Sequence, residues 1–330
     1  MQRILVTGGA GFIGSNIANA IADKGEYRAV VCDIFGKSEK WRNLSKHQIF
    51  EIIQPEDLFY WLESNHEQLH AVLHLGATSS TTETDVDKFL ENNFSLSRQL
   101  WNWCVDKQKP LIYASSAATY GRGEQGFMDD ASQGYLQKLR PLNAYGWSKN
   151  LFDQFIATSI ARGDKTPPQW VGLKFFNVYG PNEYHKDSQM SVAAQIFPHA
   201  RENRPVKLFK SYHADYADGG QKRDFIYVKD CVKVMQWLIA NPSVSGLFNL
   251  GTGEARTFED LAKGIFGALG KSPQISYIEM PDAIRQKYQY LTEAKMHKLR
   301  EAGYKEPFYS LEEGLKDYVQ HYLAKEDPYY

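Results

Sequence analysis

Thr7-Gly8-Gly9-Ala10-Gly11-Phe12-Ile13-Gly14 is the stretch on which the fold turns. It follows a short apolar run, Ile4-Leu5-Val6, and opens a helical stretch from Phe12 to about Lys24. It satisfies G-x-G-x-x-G through Gly9, Gly11 and Gly14, and a wider spacing through Gly8, Gly11 and Gly14. Small residues here let the chain turn sharply from strand to helix. They also let its backbone close on a pyrophosphate, whose charge the helix N-terminus holds. Any tight turn can use a glycine run, so placement matters more than composition. Asp33 ends the next β-branched run, Ala29-Val30-Val31-Cys32, at the distance a dinucleotide-binding unit requires.

Outward from that turn, strand-like and helix-like segments alternate. A helical stretch around Pro55 to Ser64 precedes Ala71-Val72-Leu73-His74, and a long helix is expected from Val86 to Lys107. Pro110-Leu111-Ile112-Tyr113-Ala114 comes next, then a helix near Tyr145, then Val171-Gly172-Leu173-Lys174. The strands show little polar alternation, as in a parallel sheet covered on both faces. The expected fold is α/β, a Rossmann doubly wound parallel sheet with a smaller α/β substrate-binding domain.

Beyond Gly180-Pro181 the rhythm loosens. A helix around Ser191 to Asn203 leads to Val206-Lys207-Leu208-Phe209, then to a polar loop from Ser211 to Lys222. Strand character resumes at Arg223 to Val228, a helix starts near Lys229, and Leu247-Phe248-Asn249-Leu250 reads as one more strand of the sheet. Helices near Thr257 to Leu269 and Leu311 to Leu323 flank a short strand at Ile275 to Ile278. The expected division is residues 1–176 plus about 224–252 for the nucleotide-binding domain, and about 177–223 plus 253–330 for the other.

Composition narrows the function. With 43% hydrophobic and 23% charged residues the chain reads as an ordinary soluble protein. A net charge of -1 leaves no footprint for nucleic acid or an anionic membrane, so neither is expected as a partner. Cys32, Cys104 and Cys231 form no C-x-x-C pair, which suits free thiols in a reducing compartment. The start of the chain has no signal-peptide pattern and no apolar run approaches a membrane span, so a cytoplasmic location is expected. No metal site is expected.

Tyr145-Gly146-Trp147-Ser148-Lys149 lies at a helix start, and a spacing of four puts Tyr145 and Lys149 on one face. A phenol with a pKa of about 10 is a poor base at neutral pH. A nearby ammonium, or a positively charged nicotinamide ring, favours the phenolate. Ser116 ends a sheet strand, where ligands bind in this fold, and its hydroxyl can meet the same reacting oxygen. For the cofactor, Asp33 suits an adenosine ribose and disfavours a 2′-phosphate. Lys37, Lys40 and Arg42 can neutralise such a phosphate, or simply be solvated. The residues therefore leave NAD and NADP open.

Four segments carry a resemblance to the extended short-chain dehydrogenase/reductase family: Thr7 to Gly14, Tyr113-Ala114-Ser115-Ser116-Ala117-Ala118-Thr119-Tyr120-Gly121, the Tyr145/Lys149 pair, and Phe176-Asn177-Val178-Tyr179-Gly180-Pro181. Within it, Gly76-Ala77-Thr78-Ser79-Ser80-Thr81-Thr82-Glu83, Glu183-Tyr184-His185-Lys186-Asp187-Ser188 and Lys222-Arg223-Asp224-Phe225 resemble the ADP-heptose 6-epimerase branch. That resemblance implies an enzyme that oxidises C6 of an ADP-heptose transiently with bound NADP and returns the hydride to the other face, supplying heptose for lipopolysaccharide core. It implies Tyr145 and Lys186 as the two bases, with Lys149 and Ser116 beside Tyr145. Each face of the carbonyl needs its own proton donor, which one tyrosine cannot provide.

The resemblance also implies cofactor contacts from Gly8, Gly11, Phe12, Ile13, Gly14, Asp33, Ile34, Lys40, Leu75, Gly76, Ala77, Thr78, Ser79, Asn92, Lys149, Val178 and Lys186. It implies a substrate pocket from Asn177, Ser188, Gln195, Phe209, Lys210, Ser211, Tyr212, Arg223 and Tyr288, with Arg223 on the diphosphate. A homo-oligomer is implied as well. The chain departs from the family at Ile34, where an asparagine helps hold the 2′-phosphate, and at Pro55, near a position often held by lysine. Its polar loop before Lys222 is longer.

Three rival readings remain. A 4,6-dehydratase resembles Thr-Asp-Glu where this chain has Ser116-Ala117-Ala118, so its acid pair is missing. A UDP-hexose 4-epimerase needs one tyrosine and no Lys186. A non-catalytic cofactor sensor on this fold tends to lose the Tyr-Lys pair, which is intact here.

Overall fold

Seven strands, mostly apolar and buried, build one parallel sheet. In chain order they are β1 (Arg3–Thr7), β2 (Arg28–Cys32), β3 (Glu51–Ile53), β4 (Leu69–His74), β5 (Leu111–Ser116), β6 (Trp170–Phe175) and, after an excursion, β10 (Gly246–Leu250). The computed structural model describes residues 1–80, 83–285 and 288–330. Across the sheet the order is β10-β6-β5-β4-β1-β2-β3, with every pairing parallel. The chain runs outward from β1 to β3 and then crosses back to β4. The carboxyl ends of β1 and β4 therefore open a crevice at the point where the winding reverses.

Both faces of this sheet are covered, which is why its strands lack polar alternation. Ile4, Val6, Ile112 and Leu173 belong to one core cluster, and Leu5, Val30, Val72 and Leu111 to the other, alternating along the strands as the pleat dictates. Helix α1 spans Phe12–Lys24, and α2 (Leu58–Asn65) follows a 3₁₀ turn at Pro55–Asp57. Strand β3 escaped the pattern reading because it is only three residues long, with Ile52 turned outward.

The long helix expected from Val86 to Lys107 is in fact three pieces: α3 (Val86–Phe89), a π-helical turn (Leu90–Ser95) and α4 (Leu96–Asp106). π turns gather at functional sites, and this one carries Asn92 and Asn93 to the crevice. A short α5 (Gln133–Leu136) leads to α6 (Ala144–Ala161), whose N-cap Asn143 accepts a hydrogen bond from Gly146 N at 2.8 Å.

After β6 the chain leaves the large sheet through β7 (Asn177–Tyr179), α7 (Val192–Arg201), β8 (Val206–Phe209) and β9 (Lys222–Tyr227). Strand β9 does not join the large sheet. It pairs with β7 and with β11 (Ala255–Thr257) in a small sheet of its own. Helix α8 (Val228–Ala240) then packs on α1, and β10 closes the large sheet. The chain goes on through α9 (Phe258–Ala268), β12 (Ile275–Ile278) beside β8, α10 (Asp282–Arg285), α11 (His297–Glu301) and α12 (Leu311–Tyr318), which continues as a π turn to Leu323. Thr257 with Asp260 and Ser310 with Glu313 form capping boxes that start α9 and α12.

The polar segment before Lys222 has no helix or strand. It is held by Ser211 N on Asp218 at 2.7 Å and Gly219 N on the Phe209 carbonyl at 3.0 Å. Cys32, Cys104 and Cys231 are buried, free thiols. Among the described residues no helix is long and apolar enough to cross a membrane.

Candidate active site

The glycine turn is packed against the crevice floor. Gly8 has φ +66°, and a Cβ on it would stand 2.6 Å from the backbone of Gly76. A Cβ on Gly14 would stand 2.0 Å from the Gly8 carbonyl oxygen. Helix α1 starts at N-cap Gly11 with no side-chain cap, so its first amides face the crevice without a protein acceptor supplied by the cap. This is a cradle that a pyrophosphate fits and a side chain would fill.

Asp33 stands at the end of β2 beside that cradle. Its Oδ2 accepts from Ala10 N at 2.8 Å, and its Oδ1 pairs with Lys40 at 2.5 Å. Lys40 also reaches the Ile34 carbonyl at 3.0 Å, while the Ile34 side chain is 64% exposed. Arg42 has turned away, over the Tyr329 ring at 4.4 Å.

Leu75 to Ser79, leaving β4, are tied down on two sides. Leu75 N and Gly76 N donate to the Thr7 carbonyl and hydroxyl, at 3.1 and 3.2 Å. From the π turn, Asn93 accepts from Thr78 N at 2.8 Å and donates to the Thr78 carbonyl at 2.9 Å, and Asn92 donates to Thr78 Oγ1 at 3.0 Å. Asn93 also donates to Ser148 Oγ at 2.9 Å, and Ser148 donates to the Tyr145 carbonyl at 2.8 Å. One fully buried asparagine thus joins the loop after β4 to helix α6. The sequence reading missed Asn93. Its signal was two consecutive asparagines, both poor helix formers, inside a helical run. Thr81 and Thr82 of the resemblance segment lie outside the described residues.

Helix α6 brings Tyr145 and Lys149 to the crevice. Its start lies close to the turn after Ser116, since a Cβ on Gly146 would be 2.5 Å from the Ala118 carbonyl oxygen. Burial pushes the half-buried Tyr145 phenol above its usual range, while a hydrogen bond with Ser116 pulls it down. The expected lowering by Lys149 is not found: burial and Ser116 are the influences on this phenol. Lys149, 4% exposed, is pushed down by burial to about 8 despite the pull of Asp153.

Lys186 sits on a 3₁₀ turn, Tyr184–Gln189, beside the start of α1. Its ammonium lies 5.4 Å from the centre of the Phe12 ring, and burial lowers its pKa against the attraction of Glu183. The next residue, Asp187, has φ 48°, a conformation costly outside glycine. Gln189 donates to Ser80 Oγ at 2.9 Å and so fastens this turn to the loop after β4. His185, also missed in the sequence, lies 3.2 Å from Asn43 and is held near pKa 4 by burial first and then by Lys40 and Lys186.

The remaining expected residues fall into two groups. Val178 and Asn177 lie on β7, with Asn177 exposed. Gln195 of α7 donates to the Ser188 carbonyl at 3.2 Å. Further out, Arg223 on β9 stacks 5.3 Å from the Tyr288 ring, and Phe209 meets Tyr288 edge-on at 6.5 Å. Lys210 pairs with Glu279 at 2.7 Å, Tyr212 bonds to Glu279, and Arg285 covers the Tyr212 ring at 3.7 Å. Ser211 is held through its amide on Asp218.

Comparison with known proteins agrees with this geometry. Over its whole length the chain is similar to the ADP-L-glycero-D-manno-heptose-6-epimerases of Fusobacterium nucleatum, 48% identical over 99% of both chains, and of Nitratidesulfovibrio vulgaris, 47% identical over 98% of this chain and 99% of that one. The crystal structure of Helicobacter pylori ADP-L-glycero-D-manno-heptose-6-epimerase superposes with a TM-score of 0.80 at 30% identity, covering 97% of this chain and 96% of that one. Residues 4–251, from the first strand of the large sheet to just past the last, match the NAD dependent epimerase/dehydratase family, and on that match the chain belongs to it.

Proposed function

We propose that this protein is an ADP-heptose 6-epimerase that interconverts ADP-D-glycero- and ADP-L-glycero-β-D-manno-heptose with a resident NADP, for lipopolysaccharide core heptose supply. The observation that carries the reading is the second lysine. Lys186 is held at the crevice by its contact with Phe12 and by the Gln189–Ser80 bond, in addition to Ser116, Tyr145 and Lys149. A 4-epimerase, whose ketone intermediate turns over as a whole, has no need of it.

A nicotinamide nucleotide would be held by the Gly8 to Gly14 cradle and by Asp33 with Lys40, and would supply the reversible hydride acceptor for C6. Tyr145 exchanges the hydroxyl proton on one face of the transient C6 ketone, and Ser116 holds the same oxygen. Lys149 supplies the positive charge that phenolate formation needs at a site where burial opposes it. Lys186, its own pKa lowered, exchanges the proton on the opposite face. Arg223, between the Tyr288 and Phe258 rings, takes the diphosphate. Asn177, Ser188 and Gln195 line the sugar end, with Phe209 to Tyr212 against the adenosine.

NADP is favoured over NAD by the state of Asp33. Both its oxygens are already engaged, and Lys40 neutralises it at the corner where a 2′-phosphate would lie. Because each turnover regenerates the oxidised form, the cofactor has no reason to leave. The nucleotide released on denaturation, identified by mass spectrometry, is expected to be NADP; NAD would correct the assignment. The resemblance supports a cytoplasmic homo-oligomer, which light scattering on purified protein tests. Residues 1–176 with about 224–252 are taken as the cofactor domain, and the rest as the substrate domain.

The decisive test is incubation with ADP-D-glycero-D-manno-heptose and no added cofactor, following C6 by NMR. Conversion to the L-glycero isomer is expected. No conversion, even after adding NADP and then NAD, would remove the heptose assignment and point to UDP-hexoses.

A further inference from the structure

Helix α6 carries a further charged residue on the face that bears Tyr145 and Lys149. Asp153 lies at the next spacing of four and is buried. Its carboxylate meets three side chains from the sheet. Tyr113 donates to Oδ1 at 3.0 Å and Ser115 to Oδ2 at 2.7 Å, both from β5. Lys174 of β6 reaches Oδ2 at 2.7 Å, and both side chains of this ion pair are wholly shielded from water. Lys174 also donates to Thr119 Oγ1 at 2.7 Å, and the Thr119 hydroxyl donates to the Ser116 carbonyl at 2.8 Å. A buried ion pair is weak evidence for stability, because well-packed apolar residues often do as well in its place. This one touches the supports of two catalytic candidates at once.

We propose that the Asp153–Lys174 pair is a positioning device behind the catalytic site: Asp153 holds Lys149 in its ammonium form, Lys174 balances Asp153, and the Lys174–Thr119 bond sets the main chain at Ser116. The proposal rests on the epimerase reading above. Other groups facing this cluster carry no competing charge onto Lys149. His74, from β4, is neutral, with its pKa lowered to about 3 by burial and then by Lys149. Tyr113 and Tyr120 are pushed well up by burial and stay neutral. Asp129, ahead of α5, acts on Lys174. Asp153 is the anion that acts on Lys149.

The test is the pH dependence of kcat/KM for the unsubstituted enzyme, for Lys174→Met, and for the double variant Asp153→Asn/Lys174→Met. Activity needs Lys149 protonated, so it falls as pH rises through the Lys149 pKa. Lys174→Met leaves Asp153 unbalanced, Lys149 binds its proton more tightly, and the basic limb moves up by about one pH unit. The double variant removes both charges with little change of volume, and the limb moves down by about the same amount. Identical limbs in all three enzymes, with rate lost evenly at every pH, would overturn the proposal and leave a purely structural pair.

Should the unsubstituted protein not turn over ADP-heptose, the epimerase reading fails separately, and carbon NMR on lysine labelled at Cε reads Lys149 directly. Its midpoint is expected to be lower in the double variant; an unmoved midpoint rejects the proposal. The same spectra serve if the variants do not fold. In the unsubstituted protein Lys174 must keep its proton while Lys149 titrates, and the reverse order rejects the pair as a source of charge.

Discussion

The crevice has two walls of different construction. The wall proposed for the cofactor is made of strand ends whose main-chain amides are held by side-chain acceptors: Ala10 N on Asp33, Gly76 N on Thr7, Thr78 N on Asn93. The substrate wall is made of side chains from separated segments, Phe209 to Tyr212, Arg223 and Tyr288, meeting through ring contacts of 5.3 to 6.5 Å, with Tyr212 43% exposed. The proposed reacting groups Ser116, Tyr145 and Lys149 stand on the first wall, and chemistry needs position within fractions of an ångström. The proposed recognition groups stand on the second wall, partly on a loop. Lys186 belongs to neither by sequence, and its turn is bolted to the cofactor wall through Gln189.

On this division, substitutions on the first wall are expected to abolish chemistry or cofactor binding, and those on the second to raise KM. Tyr145→Phe should lower kcat by about 10³-fold with cofactor still bound. Lys186→Met should lose epimerisation to a similar extent, yet still reduce its bound nicotinamide from one epimer alone, visible in near-ultraviolet absorbance. Reduction from both epimers would mean that Lys186 is not a base. Gly14→Ala places a methyl group against the Gly8 carbonyl, so most of the nucleotide should be missing from purified protein by absorbance and mass analysis. Full retention would show that the cradle yields.

On the second wall, Arg223→Ala should raise KM for ADP-heptose by about 10- to 100-fold, the worth of a charge-assisted hydrogen bond, and leave kcat nearly unchanged. A matching fall in kcat would break the comparison, for it would place Arg223 in the chemistry. Replacing the exposed Ala214 and Asp215 of the polar loop with Gly-Ser should have the smallest effect, at most a few-fold rise in KM. Stability in urea should change by no more than about 0.5 kcal/mol, as for exposed positions away from the core. A larger loss would show that the loop supports the fold.

Legibility followed the range of each signal and not this division. Strands β1, β2, β4, β5, β6 and β10 and helices α1 and α6 could be read because periodicity and glycine spacing are local signals. The π turn could not, because its sequence looks helical and only the demands of Thr78 and Ser148 on Asn93 reshape it. The membership of β9 in a small sheet could not either, since pairing with β7 and β11 is a contact between distant segments.

By itself the sequence determined the doubly wound sheet, the cradle at Gly8 to Gly14, the Tyr145–Lys149 spacing and the kinship that singled out Lys186. These are matters of short-range spacing or of resemblance. The tertiary structure alone decided how those groups are charged and held. It half-buried Tyr145 and raised its phenol, lowered Lys149 and Lys186, put Lys40 on Asp33, and set Asp153 and Lys174 in a dry pocket behind the site. The reason is physical: desolvation and pairing depend on what packs around a group in space, and no spacing along the chain records that.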